Sequence, residues 1–174
     1  YNLQYEEARG CAASLLNCAP QNIALLGPTS IGLSLVANGL SFKRGDNVVF
    51  YQDDYPSNAV VWMNLLSRGV VLRTVKVDEP GAIDIDKLSP LVDSRTRLVA
   101  LSSAHFVGGY CLDLAALGEW IKSRGALFCV DGIQTLGAIR TSVESVDFLC
   151  ADAHKWLLGP SAIGIFYVSP ERME

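Results

Sequence analysis

Basic residues are in the minority in this 174-residue chain. Its 14 Lys and Arg stand against 18 Asp and Glu, a formal charge of −4, which gives no footprint for nucleic acid or an anionic membrane. Long apolar runs are also missing, so nothing reads as a transmembrane helix, and the first residues do not read as a secretory signal. The five cysteines, Cys11, Cys18, Cys111, Cys129 and Cys150, are scattered, without metal-type pairs or a disulfide framework. That usage fits a reducing, cytoplasmic setting. Neither G-x-G-x-x-G nor G-x-x-x-x-G-K-[ST] occurs, which leaves an unrelated nucleotide-binding domain without its fingerprint. Disorder is excluded by a chain that is 50% hydrophobic and only 18% charged.

What is present is alternation. Short apolar runs at 22–26, 48–51, 70–75, 97–102, 126–130, 146–151 and 163–168 read as strands. Between them, helical spacing predicts helices over 3–18, 31–40, 59–67, 85–92 and 113–123. Leu3, Ala8, Cys11, Ala12, Leu15 and Leu16 form the first apolar stripe. Thr29 or Ser30 is the expected cap of the second helix, and Asp113 opens the last one. The order predicts one α/β domain, a three-layer α/β/α arrangement with a mostly parallel sheet.

In such a sheet the ligand crevice lies outside the carboxyl ends of the strands. Two strand ends here turn polar. The run 126–130 delivers Asp131, with Gln134 three residues on, and the run 146–151 delivers Asp152, His154 and Lys155. A lone Asp after a strand is more often a helix cap, and a lone Lys a solvated charge. Lys155, however, sits between His154 and Trp156 against an apolar run, a poor place for a surface lysine. A lysine amine with a carboxylate suits pyridoxal phosphate, whose aldehyde condenses with the amine while the Asp partners the pyridinium nitrogen. Gln134 would donate to the ring oxygen or lie against the ring. Gly27-Pro28-Thr29-Ser30, between a strand and a helix, reads either as a plain cap or as an anion site at a helix N-terminus.

On Asp131, Gln134, Gly137, Asp147, Asp152, His154, Lys155 and Gly159-Pro160, in order and at near-matching spacing, the chain resembles the class V aminotransferase and cysteine desulfurase group. The resemblance implies the type I pyridoxal-phosphate fold and its large, cofactor-binding domain over residues 1–174. The group has longer chains with a second, smaller C-terminal domain, so the sequence reads as a fragment, from Tyr1 already within a helix to Glu174 just after a strand. It also implies that the last strand runs antiparallel and that the enzyme is a homodimer acting on an amino acid. Lys155 and Asp131 are then catalytic, with Lys155 carrying the cofactor as a Schiff base. Thr29, Ser30, Asp152 and His154 anchor its phosphate end, Asp152 through a hydrogen-bond network.

Departures from the group's pattern bear on the reaction. Tyr55 stands where desulfurases tend to have His, and would stack on the cofactor or simply pack beside Pro56. Phe106 stands where desulfurases place an Asn near the substrate carboxylate, which argues against a desulfurase of the usual kind. Pro28 and Ile31 replace a common Asn and Glu, and Ala162 a common Gly. His105 and Ser103 could face the site, though a strand-end His is more often structural. A class V aminotransferase-like enzyme working through a Lys155 Schiff base leads the reading, and the sequence does not choose between transamination, elimination and epimerisation. Cysteine desulfurase or other lyase chemistry and epimerisation are its alternatives within the group, and a non-catalytic scaffold is the alternative outside it.

Overall fold

The computed structural model describes residues 2–173; Tyr1, read above as helical, and Glu174 lie outside the described residues. All seven expected strands form. They are β1 (Ile23–Leu26), β2 (Asn47–Tyr51), β3 (Val71–Val75), β4 (Thr96–Ser102), β5 (Leu127–Asp131), β6 (Phe148–Asp152) and β7 (Gly164–Val168). They make one mixed sheet in the order β1-β7-β6-β5-β4-β2-β3. β2, β3, β4, β5 and β6 pair in parallel, whereas β7 runs antiparallel to both β6 and β1, as expected for the last strand.

The helices are α1 (Asn2–Leu16), α2 (Thr29–Gly39), α3 (Ser57–Met63), α4 (Ile85–Leu88) and α5 (Leu114–Ser123). One face of the sheet buries Ala12, Ala13 and Leu16 of α1, Leu88 of α4, and Leu117 and Ile121 of α5. The other buries Leu33, Val36 and Ala37 of α2 with Ala59 and Trp62 of α3. The result is the expected three layers. Burying each large aliphatic side chain contributes about 1.5–3 kcal/mol, so the two helical layers are held mainly by these contacts.

The differences from expectation have local causes. The stripe on α1 is narrower than predicted, because Leu3 is 81% exposed and only the C-terminal half of the helix meets the sheet. α1 stops at Leu16 because Asn17 turns left-handed, at φ 52°. α4 ends before Pro90, which has no N–H to continue a helix. Asp113 caps α5 as predicted, accepting from Ala116 N–H at 3.0 Å. Neither Thr29 nor Ser30 caps α2; Pro28 is its N-cap residue and supplies no side-chain acceptor. Gly32 lets α2 lie close on β6, since a Cβ there would come within 2.7 Å of Cys150 Sγ.

Candidate active site

Side chains alternate across a strand with a period of two, and that parity builds the site. On the face toward α2 and α3, β5 shows Leu127 and Cys129, β6 shows Phe148 and Cys150, and β4 shows Leu98 and Ala100. One step further along the same stripes stand Asp131, Asp152 and Ser102, each the last residue of its strand. The apolar stripes thus end in polar groups just where α2 begins. A cavity of about 210 Å³ lies there, lined by Pro28, Thr29, Ser30, Tyr55, Ser57, Asp131, Ile133, Asp152, His154 and Lys155. Volume alone would not select it. A cavity of about 560 Å³ lies between the end of α1 and residues 137–142, but no carboxylate or lysine lines it.

Asp131 is 1% exposed. Its Oδ1 accepts from Ile133 N–H at 3.1 Å, while Oδ2 is buried without any hydrogen-bond partner. Burial is the main reason its pKa is pushed up to about 7. The Ile133 N–H opposes the shift, the charge of Asp54 adds to it, and Lys155 and the nearby Ser57 hydroxyl oppose it. Ser57 favours the charged form but meets no hydrogen-bond geometry at Oδ2. A buried carboxylate oxygen with no donor costs free energy. It is an acceptor held ready for a proton-bearing partner.

At the other end, the first-turn N–H groups of α2 are left without a side-chain cap, which suits an anion. Thr29 Oγ1 accepts from Asp152 N–H at 2.9 Å, so its own proton remains free to donate. Asp152 Oδ1 accepts from Ala153 N–H at 2.7 Å, and Oδ2 lies 3.1 Å from His154 Nδ1. The carboxylate therefore orients the imidazole and leaves Nε2 available. Lys155 places Nζ 5.5 Å from the centre of the Tyr55 ring.

Comparison with known proteins bears directly on this arrangement. The family model described as Aminotransferase class-V matches residues 1–174. The chain belongs to the class-V aminotransferase family. It is 34% identical over 168 residues to a probable cysteine desulfurase of Methanothermobacter thermautotrophicus, covering 95% of this chain and 42% of that one. Among solved structures it is similar to the apo cysteine desulfurase of Thermococcus onnurineus NA1, with a TM-score of 0.90 and 31% identity over 96% of this chain and 43% of that one. The cystine C-S lyase C-DES matches with a TM-score of 0.88 at 23% identity, over 98% of this chain and 48% of that one, a likeness of fold alone. The chain thus spans less than half the length of these relatives.

In this class-V chain the lysine loop between β6 and β7 is short and tied to its own ends. Ala153 N–H donates to Ile163 O, Gly159 N–H to Ala153 O, and Leu158 N–H to Lys155 O. Two of its residues are left-handed without being glycine: Leu158 at φ 55° and Ala162 at φ 67°. Ala162, read from sequence as a departure, thus occupies a conformation that glycine adopts more readily. Ala162→Gly should stabilise the protein by about 1 kcal/mol in chemical denaturation. Gly137 supports the loop from below, with φ 98° and a position where a Cβ would lie 2.5 Å from Trp156 O. Gly137→Ala should cost about 2–3 kcal/mol in the same measurement, and should loosen the segment bearing Lys155.

Seven of the eight residues expected to hold a cofactor line this cavity; Gln134 does not. The turn after β5, in which Thr135 and Leu136 N–H donate to Gly132 O, leaves Gln134 half-buried beside it. Asp147 belongs to the opposite end of the sheet, where it accepts from Phe128 N–H and Arg172 Nε. His105 is a satisfied structural group, as its strand-end position favoured. Tyr55 packs edge-on against Phe106, with ring centres 5.5 Å apart. Ser57 was missed, since a serine in a polar turn carries no sequence signal. Cys129 and Cys150 are buried as expected, and burial with the neighbouring thiol pushes Cys150 well up, which makes it a poor nucleophile.

Proposed function

We propose that this protein is a pyridoxal-phosphate-dependent enzyme acting on an amino acid, a transferase or lyase of the class-V group. The observation that carries the reading is the buried, unpartnered Oδ2 of Asp131 in the same cavity as Lys155. That pair fits the cofactor's ring nitrogen at one end and its aldehyde at the other. When bound, pyridoxal phosphate supplies an aldehyde for an amine and a ring that takes up electron density from a substrate carbon.

The chain's residues divide the work. Asp131 Oδ2 would accept a hydrogen bond from the protonated ring nitrogen and so keep the proton on that nitrogen. Thr29 Oγ1, Ser30, the first N–H groups of α2 and His154 would hold the phosphate. Asp152 would act through His154 and the Thr29 link. The Tyr55 ring would shield Lys155 Nζ from water, and Nζ, when free, would take and return the proton at the substrate Cα. Gln134 would need a small turn of its loop to reach a ring oxygen. Residues 1–174 would then be the cofactor-binding large domain, in a reducing cytoplasmic setting that fits the free cysteines.

A second reading, cysteine desulfurase, has the relatives' names in its favour. Phe106, where an Asn is usual, weighs against it, so aminotransferase-like chemistry stays in front. Homodimerisation is supported by Ile31 and Leu35 of α2 and Val60 and Met63 of α3, all exposed apolar residues on helices that pack together beside the cavity. Sedimentation equilibrium of the intact protein should give twice the monomer mass, and a monomer at every concentration would end that reading.

The deciding experiment is borohydride reduction of the intact protein supplied with pyridoxal phosphate, followed by peptide mass spectrometry. The expected result is one pyridoxyl adduct, on the peptide bearing Lys155. A folded protein without that adduct would sink the enzyme reading.

A further inference from the structure

The turn between β2 and α3 holds a carboxylate that the reading above does not use. Asp54 is buried and accepts four hydrogen bonds. Oδ1 receives Tyr55 N–H at 2.8 Å and Ser102 Oγ at 2.8 Å. Oδ2 receives Asn58 Nδ2 at 3.0 Å and Ser102 N–H at 3.1 Å. Four donors fill the four lone-pair positions of a carboxylate. Asn58 is itself fully buried and is fixed in turn by Trp62 Nε1, which donates to its main-chain oxygen at 2.9 Å and its Oδ1 at 3.3 Å. His105 supplies a second tie. Its Nδ1 accepts from Gly108 N–H at 3.0 Å, so Nε2 bears the proton donated to Asp53 O at 3.1 Å.

A turn with an exposed tip does not need this much buried polar structure to stay folded. Networks of this kind fix one geometry when every member is satisfied. What the turn presents is Tyr55, whose ring lies against Lys155 Nζ. We propose that Asp54 is a positioning residue for the cofactor site: its carboxylate clamps residues 52–57 to the end of β4 and so holds the Tyr55 ring over the Lys155 amine. The proposal takes its meaning from the pyridoxal-phosphate reading, but the geometry it asserts exists without the cofactor. Its charge also adds to the rise in proton affinity of Asp131.

The test uses the intact, cofactor-free protein with carbon-13 in its lysines. The Lys155 ε-methylene signal should be displaced upfield by the Tyr55 ring, and Tyr55→Leu assigns it. Asp54→Asn sets a donor against Asn58 Nδ2 and Ser102 N–H, and should lose that displacement. Combining it with Asn58→Asp returns an acceptor to the facing position and should recover part of it. Should Asp54→Asn fail to fold, Ser102→Ala, which removes only one of the four bonds, carries the test and should diminish the displacement. An unchanged Lys155 signal in a folded Asp54→Asn or Ser102→Ala protein overturns the proposal, whatever the melting temperature does. A protein that keeps this signal pattern but forms no adduct at Lys155 would instead strike the cofactor reading.

Discussion

Asp131→Asn should make the cofactor-free protein more stable at pH 8 while crippling the loaded enzyme. Burial has raised this carboxyl to about 7 in the folded chain, against an unfolded value near 3.9. Between those values the folded state binds a proton that the unfolded state does not. The associated stability is therefore fully present below about pH 4, falls as pH rises, and is gone above about 7. One unit corresponds to about 1.4 kcal/mol, so the buried charge costs on the order of a few kcal/mol at pH 8. An amide escapes most of that cost, less whatever its own unpartnered N–H loses. Thermal melts at pH 5 and pH 8 are the measurement, and the variant's advantage should be clearly larger at the higher pH. The loaded enzyme should meanwhile lose on the order of 10²-fold or more in turnover, as when a group that stabilises developing charge is removed. A variant with parental turnover would remove Asp131 from the catalytic machinery.

Lys155→Ala is expected to be the more severe change for activity. Loss of a positioned proton-transfer group costs on the order of 10²–10⁴-fold, and the reducible adduct should vanish with it. The Tyr55 ring and the left-handed residues flanking the loop do not depend on the lysine side chain, so the fold should survive. Ethylamine added to the truncated enzyme should restore part of the turnover, because the removed side chain leaves space beside Tyr55. Full activity in the variant would show that some other amine does the chemistry.

The stripe that ends in polar groups was legible in the chain because it rests on period-two alternation. Leu127, Cys129 and then Asp131, like Phe148, Cys150 and then Asp152, can be read in order without coordinates. The strand count was legible for a related reason, whereas the reversed last strand was legible only through the resemblance to the class-V group. Ser57 and Asp54 were not, because their roles depend on which turn abuts which strand end, and a polar turn of seven residues carries no such address. Gln134 was placed by its spacing from Asp131, yet the tight turn at Gly132 aims the segment elsewhere. The cap of α2 was misread for a simple reason: Thr29 spends its acceptor on Asp152, far along the chain, and not on its own helix.

That last bond bears on how the protein is made. Thr29 and Asp152 are separated by 123 positions, and β1 finds its partner only in β7, the last of the seven strands described above. Contacts so distant in sequence form late, because the entropy of closing the intervening loop must be met first. During synthesis α2 therefore emerges well before the strand that would complete the proposed anion site. A cofactor held as proposed could engage both ends of the cavity only once these strands have paired, so its capture would report that this sheet is assembled.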